Sequence, residues 1–267
     1  MDEQLEKLVN QVQSSAKYSS IYPELVEHIA QIELKKGRSW KVTVKAIRNK
    51  LHQVGAAYQE QEINYDRLTS ELKSYPHDLQ ASDVKRYLIQ TMSLHASTRE
   101  RLHLLDHFYS DTLSTIQPVL SLLDVACGLN PLSIGWIPLV ESAQITVCDI
   151  YVDQIEFLNA FFEHFEINGK AFCCDLTQSV PQEKAQVGLV LKTIPCLEQI
   201  DKNIGIKVLQ GLQCDNLLVS YPAQSLTGKK KGMRNFYSAQ FEQILKDTDW
   251  KYSIHSFQNE EAFLITK

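Results

Sequence analysis

The chain has 267 residues, of which 44% are hydrophobic, and its formal net charge is −5. That length can bury a full α/β core and leaves about a hundred residues for a smaller appended domain. No apolar run approaches the roughly 20 residues that a membrane-spanning helix needs, and the polar residues 1–4 do not resemble a secretory signal, so we expect a cytoplasmic protein without membrane contact.

Residues 1 to about 110 are predicted to be helical. Apolar side chains recur there at intervals typical of one helix face, at Leu5, Leu8, Val12, Ile21, Leu25, Ile29 and Ile32. We expect residues 1–110 to form a helical domain and residues 111–267 to form a second domain.

A basic stretch lies inside this helical region. Between Lys35 and His52 the chain has seven Lys or Arg residues and no acidic residue. A second cluster, from Lys229 to Arg234, has four more. Local patches rather than net charge decide attraction to phosphate, so the acidic total does not exclude nucleic acid as a partner. The alternative is an ordinary solvated helix face. The basic positions at helical spacing are Lys41, Lys45, Arg48 and His52.

The string Ser97-Thr98-Arg99-Glu100 has the form of a capping box and predicts a helix start near Ser97. His95 lies just before this predicted start, and Arg101 lies in the first turns of the helix. One side of that helix would carry Leu102, Leu105 and Phe108.

After about residue 115, short runs rich in β-branched residues alternate with helical stretches, of which residues 152–165 are the clearest. Strand–helix alternation predicts a parallel sheet covered on both faces, and a short turn at residues 258–260 predicts an antiparallel final pair. This layout is typical of the class I methyltransferase fold, a Rossmann-like α/β fold with a mostly parallel seven-stranded sheet. The predicted strands are residues 119–126, 144–150, 170–176, 187–193, 216–221, 252–257 and 262–266.

Small residues stand at the end of the first predicted strand. Asp124 and Val125 are followed by Ala126, Cys127 and Gly128. In a doubly wound sheet the ligand sits at the carboxyl ends of the strands, where small residues allow the backbone to approach it. The run is not G-x-G-x-x-G, which disfavours a dinucleotide. The alternative for Gly128 is an ordinary turn glycine.

Two more aspartates stand at the ends of the second and third predicted strands. Asp149 could accept hydrogen bonds from a ribose diol, and Asp175 could accept one from an adenine amino group. The alternative for each is a helix N-cap. Together with the first strand end, the order acid, glycine, aspartate, aspartate points to S-adenosylmethionine.

Lys192 ends the fourth predicted strand, where it could touch RNA phosphate or a target base. The alternative is a lysine that extends its ammonium group into solvent. No C-x-x-C pair occurs among the six cysteines, so we expect reduced thiols and no metal site. These cysteines are Cys127, Cys148, Cys173, Cys174, Cys196 and Cys214.

Several strings resemble the aminoglycoside-resistance 16S rRNA (guanine-N7) methyltransferases of the Arm type. The matching strings are L-H-A-S-T-R-E-R from Leu94, A-C-G-L-N-P-L from Ala126, L-K-T-I-P-C-L-E from Leu191, and V-S-Y-P from Val219, which leads into S-L-T-G from Ser225. The resemblance runs in collinear order from about residue 17 to the C-terminus. The chain departs from the family pattern at Ala56, Tyr221 and Arg234.

The resemblance implies S-adenosylmethionine as the cofactor. It implies that Arg101 holds the methionine carboxylate beside His95, and that Asp149 and Asp175 hold ribose and adenine. It also implies that Tyr58 approaches the cofactor from the N-terminal domain. The remaining expected cofactor contacts are Ala126, Cys127, Gly128, Leu176 and Leu191.

The resemblance further implies that the helical domain docks on 16S rRNA within the assembled 30S subunit. The methylated atom would be N7 of a guanine in the decoding A site, and the result would be aminoglycoside resistance. We expect the enzyme to be a monomer. The expected RNA contacts are Lys35, Lys36, Arg38, Lys41, Lys45, Arg48, His52, Lys192, Lys229, Lys230, Lys231, Met233 and Arg234.

Guanine N7 carries a lone pair and no proton, so the expected methyl transfer needs no general base. We therefore nominate no catalytic residue, and give only Lys192 a possible electrostatic or positioning role. The target base has to leave its stack to reach the cofactor. Two other functions stay open from the sequence: a small-molecule methyltransferase on the same fold, and a non-catalytic ribosome-binding protein.

Overall fold

The computed structural model describes residues 3–56, 62–223 and 233–267. Tyr58 and the predicted RNA contacts Lys229, Lys230 and Lys231 lie outside the described residues. Met233 and Arg234 lie in a helix, but their side chains are not among those described.

Twelve α-helices lie in the described ranges. A π-helical turn at His52–Ala56 continues the fourth helix, and 3-10 turns lie at Leu102–Leu104 and Asn130–Trp136. The helices are α1 (Glu3–Gln13), α2 (Ala16–Ser19), α3 (Pro23–Leu34), α4 (Trp40–Leu51), α5 (Tyr65–Leu72), α6 (Ser82–Met92), α7 (Ala96–Arg99), α8 (Leu105–Thr112), α9 (Val152–His164), α10 (Ile194–Leu197), α11 (Ile204–Gly211) and α12 (Met233–Leu245).

Seven strands form one sheet in the order β3-β2-β1-β4-β5-β7-β6. The first five strands are mutually parallel, and β7 runs antiparallel between β5 and β6. The predicted sheet and its closing antiparallel pair are therefore confirmed. The strands are β1 (Val119–Val125), β2 (Leu139–Asp149), β3 (Gly169–Cys173), β4 (Ala185–Leu191), β5 (Cys214–Pro222), β6 (Lys251–Ser256) and β7 (Glu260–Thr266).

The central strands are apolar because helices cover both faces of the sheet. On one face, α5, α6, α8 and α9 bury side chains such as Phe108 and Phe161. On the other face, α10, α11 and α12 pack against the sheet, and side chains such as Tyr221 of β5 and Phe241 of α12 are buried there. Both layers hold the carboxyl ends of β1, β2 and β4 at one edge of the molecule, where the sequence places its candidate site.

The N-terminal helices α1–α4 have a hydrophobic core of their own, which includes Leu8, Ile21 and Ile47. Tyr151, just beyond β2, belongs to that core as well. Helices α5, α6 and α8 instead share the core of the sheet. The division of the chain into domains at residue 110 stays a prediction.

Backbone hydrogen bonds fasten the N-terminal helices to the end of β2. The Tyr22 amide donates to the Ile150 carbonyl at 2.7 Å, and the Val152 amide donates to the Ser20 carbonyl at 2.8 Å. An isolated antiparallel bridge joins Ile21 to Tyr151 between them. The N-terminal helices therefore lie beside the carboxyl edge of the sheet.

The predicted helix start near Ser97 is confirmed, since α7 begins at Ala96, but the predicted capping box is wrong. Helix α7 has only four residues, and its N-cap residue, His95, makes no side-chain cap bond. The Thr98 hydroxyl instead donates to the Met92 carbonyl at 2.6 Å. The Glu100 carboxylate accepts from Lys192, 92 residues further along the chain. A local motif was thus overridden by a contact with a distant residue.

All six cysteines are free thiols. In the described ranges, no helix combines the length and the apolar character that a membrane crossing requires.

Candidate active site

A cavity opens at the carboxyl edge of the sheet. Its walls come from the ends of β1, β2 and β4, the turn after β3, helix α7 and the N-terminal helices, which contribute Leu25, Val54 and Gly55. The structure thus brings together residues predicted from four separate strings. The predicted cofactor residues in the lining are His95, Arg101, Ala126, Cys127, Asp149, Asp175, Leu176 and Leu191.

The turn after β1 has two residues in the left-handed region, Ala126 at φ 49° and Gly128 at φ 53°. A Cβ atom on Gly128 would come within 2.8 Å of the His95 ring. The Gly128 amide donates to Asp149 Oδ2 at 2.7 Å. Gly128 therefore supports the cavity wall from behind, because only a glycine allows His95 and the turn to approach so closely.

Asp149 is buried at the end of β2, with Oδ2 accepting from Gly128 and Oδ1 accepting from the Ile150 amide at 2.6 Å. Burial raises the pKa of this carboxyl more than those hydrogen bonds lower it. Helix α9 has Tyr151 as its N-cap residue, so the N-cap alternative for Asp149 is wrong. A carboxylate can accept about four hydrogen bonds, so both oxygens can still accept from a ligand hydroxyl.

Asp175 is buried in a turn after β3. Its Oδ1 accepts from the Thr177 amide at 2.9 Å and from the Thr177 hydroxyl at 2.6 Å. Its Oδ2 lies 3.1 Å from Nδ1 of His28, a residue of helix α3. No helix begins at this turn, so the N-cap alternative is wrong here too. The sequence argument missed His28, because nothing near position 28 indicates a contact with residue 175.

The Arg101 side chain is only 2% exposed and is held by two residues. It donates from Nε and Nη2 to Glu260 at 3.1 and 2.6 Å, and from Nη1 to Asn130 Oδ1 at 2.7 Å. Burial alone would lower the pKa of Arg101, but the Glu260 carboxylate outweighs burial and raises it. These bonds use three of the five N–H donors, which leaves two for a ligand carboxylate.

Lys192 lies at the end of β4 in the left-handed region, at φ 57°. Its Nζ donates to Glu100 Oε2 at 2.7 Å and lies 3.4 Å from Glu260 Oε2. The side chain is 3% exposed, so the alternative of an ammonium group in solvent is wrong. Lys192 is among the residues that line the cavity, which favours a role there over contact with a surface phosphate.

Glu260 joins the two cations and was missed by the sequence argument. It also accepts from the Ser220 hydroxyl at 2.5 Å. Burial by itself raises the pKa of Glu260, but Arg101 and Lys192 outweigh burial and hold the pKa below its usual value. The antiparallel pairing of β7 with β5 places Glu260 beside Arg101 and Lys192. No local pattern could have identified it, whereas Asn130 could have been noted within the A-C-G-L-N-P string.

Two further residues that line the cavity have strongly shifted pKa values. Burial raises the pKa of Asp124 to about 8, although Asn130 donates a hydrogen bond to it. Burial, and then the nearby Lys192, lowers the pKa of His95 to about 4. At neutral pH both side chains are therefore mainly uncharged.

Only some of the predicted basic side chains on α4 are exposed to solvent. Lys41, Lys45 and His52 are exposed. Arg48 is half-buried, and its Nη2 donates to the Gln11 carbonyl at 3.0 Å. Of the predicted RNA contacts on α4, the two exposed lysines are thus the cations best placed to meet a phosphate.

The basic residues before α4 differ from one another. Lys36 and Arg38 both pair with the buried Glu33, at 2.5 and 3.0 Å. The sequence argument counted no acid between residues 35 and 52 and overlooked this glutamate just before them. Lys35 is exposed, and in the described ranges no carboxylate pairs with it or with the two exposed lysines of α4.

The donor set of the cavity fits an adenosyl group that carries an amino acid. Asp149 and Asp175 can accept from hydroxyl and amino groups, and the buried Arg101 can donate to a carboxylate. Leu176 and Leu191 offer apolar surface for a flat ring. The small residues Ala126 and Cys127 line the cavity at the end of β1, where a ligand can approach the backbone.

Comparison with a protein family agrees with this geometry. The family described as "Ribosomal RNA methyltransferase (FmrO)" matches residues 14–265. A 16S rRNA (guanine(1405)-N(7))-methyltransferase of Frankia casuarinae is 30% identical over 269 residues, which cover 100% of this chain and 95% of that protein. The enzyme of the same name from Serratia marcescens is 35% identical over 231 residues, or 86% and 85% of the two chains.

Solved structures are similar over the whole chain. The 16S rRNA methyltransferase RmtF, in complex with S-adenosyl-L-homocysteine, has a TM-score of 0.85 and 27% identity, covering 100% of this chain and 99% of that one. The 16S rRNA methylase RmtB has a TM-score of 0.81 and 27% identity, covering 98% of each chain.

Proposed function

The chain belongs to the ribosomal RNA methyltransferase (FmrO) family, and on that premise we propose that it methylates N7 of guanine 1405 in 16S rRNA, the position named for its relatives. It is an S-adenosylmethionine-dependent enzyme. The observation that carries the proposal is the single cavity lined by Arg101, Asp149 and Asp175 in a chain that matches these relatives along its length.

The proposed roles follow the donors and acceptors of the cavity. Asp149 accepts from the ribose, Asp175 from the adenine amino group, and the two remaining donors of Arg101 hold the methionine carboxylate. Leu176 and Leu191 contact the faces of the adenine. His95, Ala126 and Cys127 line the cavity beside them, and we propose them as further contacts.

When bound, S-adenosylmethionine supplies an electrophilic methyl group. Because N7 has no proton to remove, we assign no general base, and the residues of the chain act by orientation and by excluding water. The ammonium group of Lys192 lies between the carboxylates of Glu100 and Glu260, and Lys192 lines the cavity. We therefore propose a positioning role for Lys192 rather than contact with phosphate.

We propose that the N-terminal helices dock on 16S rRNA within the 30S subunit. The exposed Lys41 and Lys45 on α4, with Lys35 before it, provide phosphate contacts that no carboxylate in the described ranges competes for. These contacts would offset part of the few kcal/mol needed to unstack the target base. We propose a monomer that works in the cytoplasm, where its substrate lies, and confers aminoglycoside resistance.

The proposal is tested on purified 30S subunits and on 16S rRNA from expressing cells. Borohydride and aniline cleave RNA at N7-methylguanine, and primer extension should then stop at position 1405 in RNA exposed to the wild-type enzyme. RNA exposed to Asp149→Ala should give no stop. A stop at another nucleotide would overturn the choice of substrate, and methylation of free small molecules alone would favour the small-molecule alternative.

A further inference from the structure

His28 connects the N-terminal helices to the cavity from outside its lining. The residue lies on α3, and its side chain is 21% exposed. Nδ1 of its ring lies 3.1 Å from Asp175 Oδ2 and 3.1 Å from the Thr177 hydroxyl oxygen. Because that hydroxyl donates its own proton to Asp175 Oδ1, the ring nitrogen is the donor in both contacts.

Asp175 is consequently held from two sides. The Thr177 amide and hydroxyl hold Oδ1 from the same turn, and His28 holds Oδ2 from a different hydrophobic core. Without His28, the described contacts of the carboxylate would all lie on Oδ1, and no described donor would fix the position of Oδ2. Hydrogen bonds to a charged group are among the stronger ones in proteins, so the contact from His28 can fix the plane of the carboxylate.

The same helix also reaches the cavity directly. Leu25, one turn before His28, lines the cavity beside Val54 and Gly55 of the turn that continues α4. The backbone bonds between residues 20–22 and 150–152 fix the start of α3 to the end of β2. The start of helix α3 is therefore attached to the sheet, and His28 gives the middle of the helix a second contact with the residues around the site.

We propose that His28 is a positioning residue that orients Asp175 for the adenine, and that this contact couples cofactor binding to the N-terminal helices. The inference rests on the proposed function, because it takes Asp175 as an acceptor for the cofactor. Coupling between two sites is reciprocal, so a bound cofactor strengthens the placement of α3 and α4 for RNA as much as that placement strengthens cofactor binding.

The test uses three variants of the full chain. His28→Ala removes the donor, and His28→Asn keeps an amide N–H near the position of Nδ1. Gln31→Ala changes an exposed residue of the same helix whose side chain donates to Glu27. S-adenosylhomocysteine binding is measured by calorimetry for each variant and for the wild type.

We expect His28→Ala to raise the Kd for S-adenosylhomocysteine by about tenfold, while His28→Asn and Gln31→Ala stay near the wild type. The KM for S-adenosylmethionine should rise in parallel in His28→Ala, with kcat on 30S subunits little changed. A general loss of structure would lower kcat and would not be rescued by asparagine. Wild-type affinity in His28→Ala would overturn the inference.

A second measurement tests the coupling. S-adenosylhomocysteine should tighten binding of 30S subunits to the wild type and should do so less, or not at all, for His28→Ala. Equal tightening in both would overturn the coupling. If the wild type bound no S-adenosylhomocysteine, the proposed function itself would fail, so the two failures are distinguishable.

Discussion

Asp124 and His95 show that burial favours the uncharged form of an acid and of a base alike. One is an acid with a pKa near 8, and the other is a base with a pKa near 4. In both, the loss of hydration of the charged form is the largest cause of the shift. Arg101 and Glu260 are also buried, but each provides the other's counter-charge and both stay ionised.

We predict that Asp124→Asn changes the pH dependence of stability in the cofactor-free protein. The carboxyl has an ordinary pKa of 3.8 and a folded pKa of about 8, so the folded protein keeps a proton that the unfolded chain releases. The stability from this group is complete below pH 3.8 and is lost as the pH rises through 8, at up to about 1.4 kcal/mol per pH unit.

Asparagine cannot ionise, so the Tm of the variant relative to the wild type should rise between pH 4 and pH 8. Thermal unfolding at several pH values measures this difference directly. A constant difference across that range would show that Asp124 is already ionised in the folded protein.

At the scale of single elements, helix α4 separates a buried face from a basic exposed face. Val44, Ile47 and Leu51 belong to the core of the N-terminal helices. Lys41 and Lys45 lie on the opposite side, one turn apart and exposed. A charge reversal on the exposed face should therefore leave the packing of the helix unchanged.

We predict that Lys41→Glu combined with Lys45→Glu abolishes methylation of 30S subunits while S-adenosylhomocysteine affinity stays near wild type. Two phosphate attractions become repulsions, and 30S affinity should fall by at least about tenfold, with a weaker dependence on salt. Filter binding at several salt concentrations measures the affinity.

A matched control reverses two exposed lysines elsewhere, in Lys246→Glu combined with Lys251→Glu, which changes the net charge by the same amount. This control should methylate 30S subunits normally. Equal loss in both double variants would mean that the total charge, rather than α4, governs docking.

At the scale of the whole molecule, the cavity is shared between two hydrophobic cores. The sheet provides Asp149, Asp175 and Leu191, and the N-terminal helices provide Leu25 and Val54. A ligand that touches both cores would stabilise them together. It binds only when both parts of the site are folded, so its binding shifts the unfolding equilibrium of both.

We predict that S-adenosylhomocysteine raises the Tm of the whole chain as a single transition. At a concentration of 100 times Kd the expected stabilisation is about 2.7 kcal/mol, equivalent to several degrees for a protein of this size. Differential scanning calorimetry measures the shift. Asp149→Ala should show almost none, and an unchanged wild-type Tm would argue against cofactor binding.

The sequence by itself determined the alternation of strands and helices, the mostly parallel sheet and the residues that stand at its strand ends. Hydrophobic periodicity is a local property, and parallel strands place their carboxyl ends at one edge. Gly128, Asp149 and Asp175 could therefore be predicted around one place. The strings around Arg101 and Leu191 were recognisable for the same reason, since each is continuous in the chain.

The tertiary structure alone decided which charges meet and which side chains are neutral. Glu260 and Arg101 are 159 residues apart, and His28 and Asp175 are 147 apart. Glu100, predicted to cap its own helix, binds Lys192 instead. Such pairings, and the pKa values of Asp124 and His95, depend on distance and burial, which arise only when separate elements pack against one another.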